Sequence, residues 1–251
     1  MRPRVIPVLL LNEGGLVKTI KFGKQVYIGD PINAIRLFND MEVDELVLLD
    51  ISASKCNKDP DFELIKDAVS EAFMPICYGG GVKNLEQMRD LFHLGIEKVA
   101  LNAALLNDSG LLTAAVEEFG SQSIVASIDI KKTLVGQYKV FNHTKNKSMS
   151  FKVLEYIRSV EKQGAGEIFI NAVDKDGVMK GYDLEMIKVI SEQTSVPLIT
   201  CGGGASVSDL KSATNAGACA AAAGSMFIFQ GKQKGVLINY PSQSMLDKVL
   251  S

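Results

Sequence analysis

The sequence predicts a (β/α)8 TIM barrel, and three observations carry that prediction. Short apolar runs alternate along the chain with segments of helical period, the pattern of a parallel sheet with helices packed outside it. Eight such units fit into 251 residues, the usual length of one closed barrel. The pattern also repeats: Glu45 and Glu167 open the second and sixth strands 122 positions apart, and Gly79 and Gly202 open two triple-glycine loops 123 apart. Asn102 and Ser225 close the fourth and eighth strands, again 123 apart. Two half-barrels related by a pseudo-two-fold produce this spacing. A doubly wound open sheet is the alternative. The chain, 1–251, is expected to be a single barrel domain.

The elements follow in order. Residues 5–10 read as strand 1, after which Gly14-Gly15 opens a long polar loop through Lys18, Lys21 and Lys24. Residues 32–41 are helical in period, with Pro31 suited to the first turn because its missing N–H has no helical partner there. Residues 45–50 form strand 2, which ends in Asp50. A helix over 61–72 leads to strand 3 at 75–78 and the first glycine loop. A helix over 84–95 stops at Gly95, strand 4 covers 98–102, and the helix over 109–119 precedes strand 5 at 124–129. Residues 133–150, with Lys131 and Lys132 before them and Lys139, Lys145 and Lys147 among them, form an inserted loop. The second half continues with a helix at 151–164, strand 6 at 167–172, a helix at 184–194 and strand 7 at 197–201. A helix at 208–216 and strand 8 at 218–223 complete the pattern.

Composition excludes several classes. A net charge of −2 gives no footprint for nucleic acid or an anionic membrane. The four cysteines have no CxxC spacing and there are two histidines, His93 and His143, so no metal site and no cofactor is expected. Arg2 and Arg4 before an apolar run imitate a signal peptide, but Asn12 and Glu13 stand where a small-residue cleavage site belongs. The alanine-rich run near strand 8 is too short to span a bilayer. Reduced thiols and a cytoplasmic location are the expectation.

Chemistry in such a barrel sits at the C-terminal ends of the strands, where the βα loops converge. Strand 5 ends there in Asp129. An aspartate after a strand can also be a simple loop anchor. Each triple-glycine loop follows a strand and precedes a helix, so its backbone N–H groups can cradle a phosphate beside a helix N-terminus. Two such loops in register predict a ligand phosphorylated at both ends.

Taken together, Gly120-Ser121-Gln122 before strand 5, Gly164-Ala165-Gly166-Glu167-Ile168, Asp174-Lys175-Asp176-Gly177, Gly181-Tyr182-Asp183 and Cys201-Gly202-Gly203-Gly204 resemble the cyclase subunit of imidazole glycerol phosphate synthase. The resemblance runs from Arg4 to about Phe229. It implies a barrel paired with a class I glutaminase, whose ammonia crosses the barrel and attacks a bisphosphorylated ribulosyl nucleotide. It also implies ligand positions at Lys18, Asp50, Gly80, Gly81, Asn102, Asp176, Gly177, Gly202, Gly203, Gly224 and Ser225.

Arg4, Glu45, Lys98 and Glu167 each begin a strand, which places two cations and two anions at the N-terminal end of the barrel. Burying them is costly unless they pair, so a salt-bridged ring is expected. On the residues alone the ring is either a stabilising plug or an entrance; the resemblance implies the gate through which ammonia enters. A glutaminase would then dock near Arg4, Asp44, Glu45 and Glu97.

The resemblance further implies two catalytic aspartates, ending strands 1 and 5. Asp129 fills the second position, but the first falls on Leu10, 119 positions earlier. Leucine can neither donate nor accept a proton. Three readings stay open: a histidine-pathway cyclase with an altered strand 1, a paralogue that keeps partner and channel but serves sugar amidation in surface-polysaccharide synthesis, and a non-catalytic phosphate-binding module. Leu10 weighs against the first and the four-charge set against the third.

Overall fold

The eight strands of the alternating pattern form one closed parallel sheet in chain order. They are β1 (Arg4–Asn12), β2 (Leu46–Asp50), β3 (Ile76–Gly79), β4 (Lys98–Leu101), β5 (Ile124–Lys132), β6 (Glu167–Ala172), β7 (Leu198–Cys201) and β8 (Ala220–Ala223). Each pairs in parallel with the next, and β8 returns to β1 through Arg4 opposite Ala220. The structure is a computed structural model and describes residues 2–108, 110–231 and 233–251. Between and after the strands lie helices α1 (Pro31–Asp40), α2 (Phe62–Ser70), α3 (Leu85–Leu94), α4 (Leu111–Phe119), α5 (Val153–Lys162), α6 (Leu184–Ser191), α7 (Val207–Asn215) and α8 (Gln243–Leu250). The expected helix over 109–119 opens at Ser109, which lies outside the described residues.

Local chemistry explains where the helices start. Asp30, Asp61, Asn84, Asp183 and Ser206 each accept from a backbone N–H of the first turn, and Pro31 follows its cap directly. Such caps satisfy donors that the helix itself cannot. Among the described residues, no helix is long and apolar enough to cross a membrane.

Alternation along the strands separates two cores. Val5, Leu9 and Leu11 of β1 and Leu46 and Leu48 of β2 face outward into the layer covered by helices. Ile6, Val8, Val47, Ala100, Val125, Phe169, Ile199, Ala220 and Ala222 face the lumen, with Leu10 and Leu49 packed on top of them. A period of two puts every second residue of a strand on the same face. The lumen is therefore a column of layers, charged at the bottom, apolar in the middle and glycine-rich at the top.

Two stretches differ from the sequence expectation. The polar loop after strand 1 is a β-hairpin, Gly15–Thr19 with Gln25–Gly29, which extends β1 antiparallel. Leu16 and Val17 are buried and draw Lys18 and Thr19 inward with them. The insertion at 133–150 is likewise a hairpin, Tyr138–Asn142 with Lys147–Lys152, which extends β5 from Ile130 opposite Val140. Both hairpins stand at the C-terminal mouth, and Phe22 of the first meets Phe141 of the second edge to face at 6.3 Å. Short helices, Ala103–Asn107 after β4 and Ser225–Ile228 after β8, repeat the half-barrel symmetry.

Candidate active site at the barrel mouth

At the bottom of the lumen the four charges close into one network. Arg4 donates to Glu45 and Glu167, while Lys98 Nζ donates to both oxygens of Glu45 at 3.2 Å and to Glu167 Oε2 at 2.9 Å. Each carboxylate thus bridges both cations. Burial pushes Glu45 above the usual carboxylate range, and Lys98 and Arg4 limit that rise. Burial alone would lower Lys98, but the Glu45 and Glu167 carboxylates hold it above the ordinary lysine value. Asp44, expected near a docking surface, accepts a forked pair from Arg2 at 2.6 and 2.7 Å and the Val5 N–H at 2.8 Å.

At the top, a cavity is lined by residues from all eight strand ends. Asp129 is buried, and its Oδ2 accepts from Asn102 Nδ2 at 3.0 Å and meets His143 Nδ1 at 3.1 Å. Ser127, on the same face of β5, and Asn171, at the end of β6, also line the cavity. Asn171 Oδ1 is buried without a hydrogen-bond partner among the described residues, an acceptor free for a donor on a ligand. Leu10 and Leu49 occupy the corresponding places on β1 and β2. At the lumen-facing strand positions the mouth is thus polar on β4–β6 and apolar on β1 and β2.

Lys18 enters from the first hairpin and is buried, with Nζ donating to Val8 O at 2.6 Å. Desolvation lowers its pKa from the ordinary 10.5 to about 8, and Cys201 and Asp176 oppose the shift. Gly224 makes room for it, because a Cβ there would collide with Lys18 Nζ. Asp176 accepts from Thr19 Oγ1 at 2.6 Å and the Phe22 N–H at 3.1 Å, tying the hairpin to the loop after β6. Burial raises its pKa, although these two hydrogen bonds work against the rise. Asp50 is held in a tight turn, accepting from Ser52 N–H, Ser52 Oγ and Ala53 N–H at 2.7–2.9 Å.

The glycine loops face each other across the mouth. Gly80, Gly81, Gly202, Gly203, Gly224 and Ser225 all line the cavity, as does Gly177. At Gly203, φ is +103° and a Cβ would strike the carbonyl of Gly181, whose N–H in turn donates to Gly203 O at 2.9 Å. Only glycine combines that conformation with so close an approach. Gly81 N–H reaches Ser54 Oγ at 3.2 Å.

Every residue expected at the mouth therefore lies around one cavity, and the four expected at the base form one ring. Four participants were not anticipated: His143, Thr19, Ser127 and Asn171. Strand alternation carries a signal for two of them, since Ser127 is two residues before Asp129 and Asn171 four after Glu167. His143 and Thr19 reach the site on hairpins that were expected to be loops.

A (β/α)8 barrel with a charged ring below and paired glycine cradles above is the class that fold and site define. Residues 4–234 match the family described as "Histidine biosynthesis protein". The Pseudomonas aeruginosa protein named "Putative imidazole glycerol phosphate synthase subunit hisF2" is 49% identical over 248 residues, covering 98% of this chain and 99% of its own. The corresponding hisF3 protein of Vibrio vulnificus is 46% identical, over 100% of this chain and 97% of its own. A HisF protein of Leptospira interrogans is also 46% identical, over 97% and 96%. The chain belongs to the histidine biosynthesis protein family and is a HisF-like subunit within it.

Proposed function

We propose that this chain receives ammonia at the four-charge ring from a class I glutaminase and passes it through the barrel to a phosphorylated acceptor held at the mouth. In this reading it is a cytosolic single-barrel subunit of a heteromeric complex and a paralogue of the histidine-pathway cyclase, serving sugar amidation. The observation that carries it is the combination of a complete ring at the base with Leu10 at the mouth. The ring, Arg4–Glu45–Lys98–Glu167, has the composition expected of an ammonia entrance, and the lumen above it is lined by small and apolar side chains that offer ammonia no trap. Asp129 has no acidic counterpart on β1, so a pair of carboxylates on opposite sides of a ligand is not available. The numbering hisF2 and hisF3 in the relatives' names fits a copy that exists beside another.

The second reading, a cyclase of histidine biosynthesis, draws on Asp129, Asn102 and Lys18 standing together around the cavity. Leu10 weighs against it. A non-catalytic phosphate-binding module would need the ring only as a stabilising plug.

Co-expression with class I glutaminases of the same organism tests the partner. The expected result is co-purification with one of them and glutaminase activity that rises on binding. If none binds and none gains activity, the channel reading is wrong. Calorimetry tests the mouth: a bisphosphorylated ligand should bind more tightly than one with a single phosphate, and equal affinities would leave only one working cradle.

A further inference from the structure

A titratable partner of Asp129 stands on the second hairpin. His143 lines the cavity, and its Nδ1 lies 3.1 Å from Asp129 Oδ2. The turn that carries it is rigidly made. Asn142 is 2% exposed, and its Oδ1 accepts from Thr144 N–H, Thr144 Oγ1 and Lys145 N–H at 2.7–3.0 Å. A side-chain acceptor of this kind fixes a turn as a backbone carbonyl would. Phe141, just before it, is pinned against Phe22 and lies under the Lys131 ammonium at 5.1 Å. Asn102 holds the same oxygen of Asp129 from β4 at 3.0 Å. Among the described residues, the second ring nitrogen of His143 has no hydrogen-bond partner. The other charged side chains facing the cavity are Lys18, Asp50, Lys55 and Asp176.

We propose that Asp129 and His143 form the proton-transfer pair of this site, with Asp129 accepting from Nδ1–H and His143 Nε2 presented to the acceptor. A carboxylate that holds one imidazole nitrogen fixes both tautomer and ring orientation, leaving the other nitrogen as base and then acid. The proposal rests on the reading of the mouth as an ammonia-acceptor site. When ammonia adds to a carbonyl carbon, the C–N bond forms and the carbonyl π pair moves onto oxygen. Nitrogen then carries one proton too many and oxygen one too few. Nε2 takes the proton from nitrogen and returns it to oxygen, giving the neutral carbinolamine and an unchanged imidazole. Both transfers occur on the β5 side of the mouth. The pair therefore serves ammonia addition without replacing the absent group on β1.

The chain has two histidines, so ring-15N-labelled protein gives two pairs of imidazole nitrogen signals, and His93→Gln assigns them. In the free protein, His143 is expected to carry its proton on Nδ1, and Asp129→Asn should abolish that preference. A proton on Nε2, or a tautomer indifferent to Asp129→Asn, overturns the pair. Fructose 1,6-bisphosphate serves as a bisphosphorylated carbonyl probe, and the Gly81 and Gly203 amides report its entry. If those amides respond, the Nε2 signal of His143 should move with them while His93 stays still. His143→Asn, which keeps a donor for Asp129, should weaken the probe by about tenfold, the scale of one hydrogen bond. Amide shifts without any response at His143, or unchanged affinity in His143→Asn, also overturn the proposal. If the amides do not respond, the acceptor-site reading fails instead, and the tautomer in the free protein still decides whether Asp129 and His143 act as a pair.

Discussion

The two ends of the lumen follow different rules. At the base, Arg4, Glu45 and Lys98 of the first half-barrel and Glu167 of the second share one network in which each anion meets both cations. At the mouth, the glycine cradles repeat across the halves but the strand ends do not: β5 ends in Asp129, whereas β1 offers Leu10. A largely buried ring of charge is tolerated best when complete, because a lone charge away from water is expensive. At the mouth, a leucine in place of an acid leaves no unpaired charge behind, so a polar group there can be exchanged for an apolar one without unfolding the barrel. Loss of chemistry is therefore expected at the mouth while the base stays intact.

The base is the place to break this contrast with the largest effect. Glu45→Ala leaves Arg4 and Lys98 with one anion between them in a buried setting. Because Glu167 still meets both cations, a loss of about 1–3 kcal/mol is expected, the range for buried polar groups left short of a partner, measured by urea denaturation. A loss comparable to that of a surface pair would mean the ring is wet and loosely held. Next comes Gly203→Ala, where a Cβ would meet the Gly181 carbonyl at positive φ. A cost of about 1–3 kcal/mol is expected from the strain, together with weakened binding of a phosphorylated ligand by calorimetry. An unaffected affinity would mean that Gly203 serves the turn alone.

Lys18 sharpens the mouth side of the comparison through pH. Its pKa of about 8, set by burial, makes it an ammonium below that value and neutral above it. Affinity for a phosphorylated ligand should therefore fall as pH rises through 8, well before an exposed lysine loses its charge near 10.5. Lys18→Gln should bind more weakly and lose this step in the calorimetric pH profile. A step that persists in Lys18→Gln belongs to another group. The smallest effect is expected for Leu10→Asp. It places a carboxyl beside Leu49 on the apolar side of the mouth, where desolvation raises its pKa, at a cost of about 1 kcal/mol.

Much of this arrangement was legible before any coordinates, for a physical reason. Period-two burial places Lys98, Ala100 and Asn102 on one face of a line, as it does Glu167, Phe169 and Asn171, so a charged base and a polar mouth can be read from strand ends alone. The helix starts were equally readable, since Asp61, Asn84 and Asp183 precede helices that need acceptors. What stayed hidden lies on the hairpins. Lys18 was expected at the mouth through the resemblance alone; within its lysine-rich stretch nothing sets it apart, and the pairing of Leu16 and Val17 with strands beside them carries it inside. His143 comes to Asp129 from 14 residues away, through a turn whose direction is set by Asn142. No local pattern announces such a meeting. Leu10 was the reverse case: the resemblance puts the strand 1 position there, and the structure places it at the mouth.

In the proposed function the chain keeps the ring through which ammonia enters and lacks the second acid needed to close an imidazole ring. Wild-type protein supplied with saturating free ammonia and the ribulosyl nucleotide substrate of the cyclase tests it most directly, because added ammonia bypasses the glutaminase. One positioned acid–base group is typically worth about 10²–10⁴ in rate, so with Leu10 in place imidazole glycerol phosphate should form at or near background. Robust turnover would contradict the account and return the chain to histidine biosynthesis.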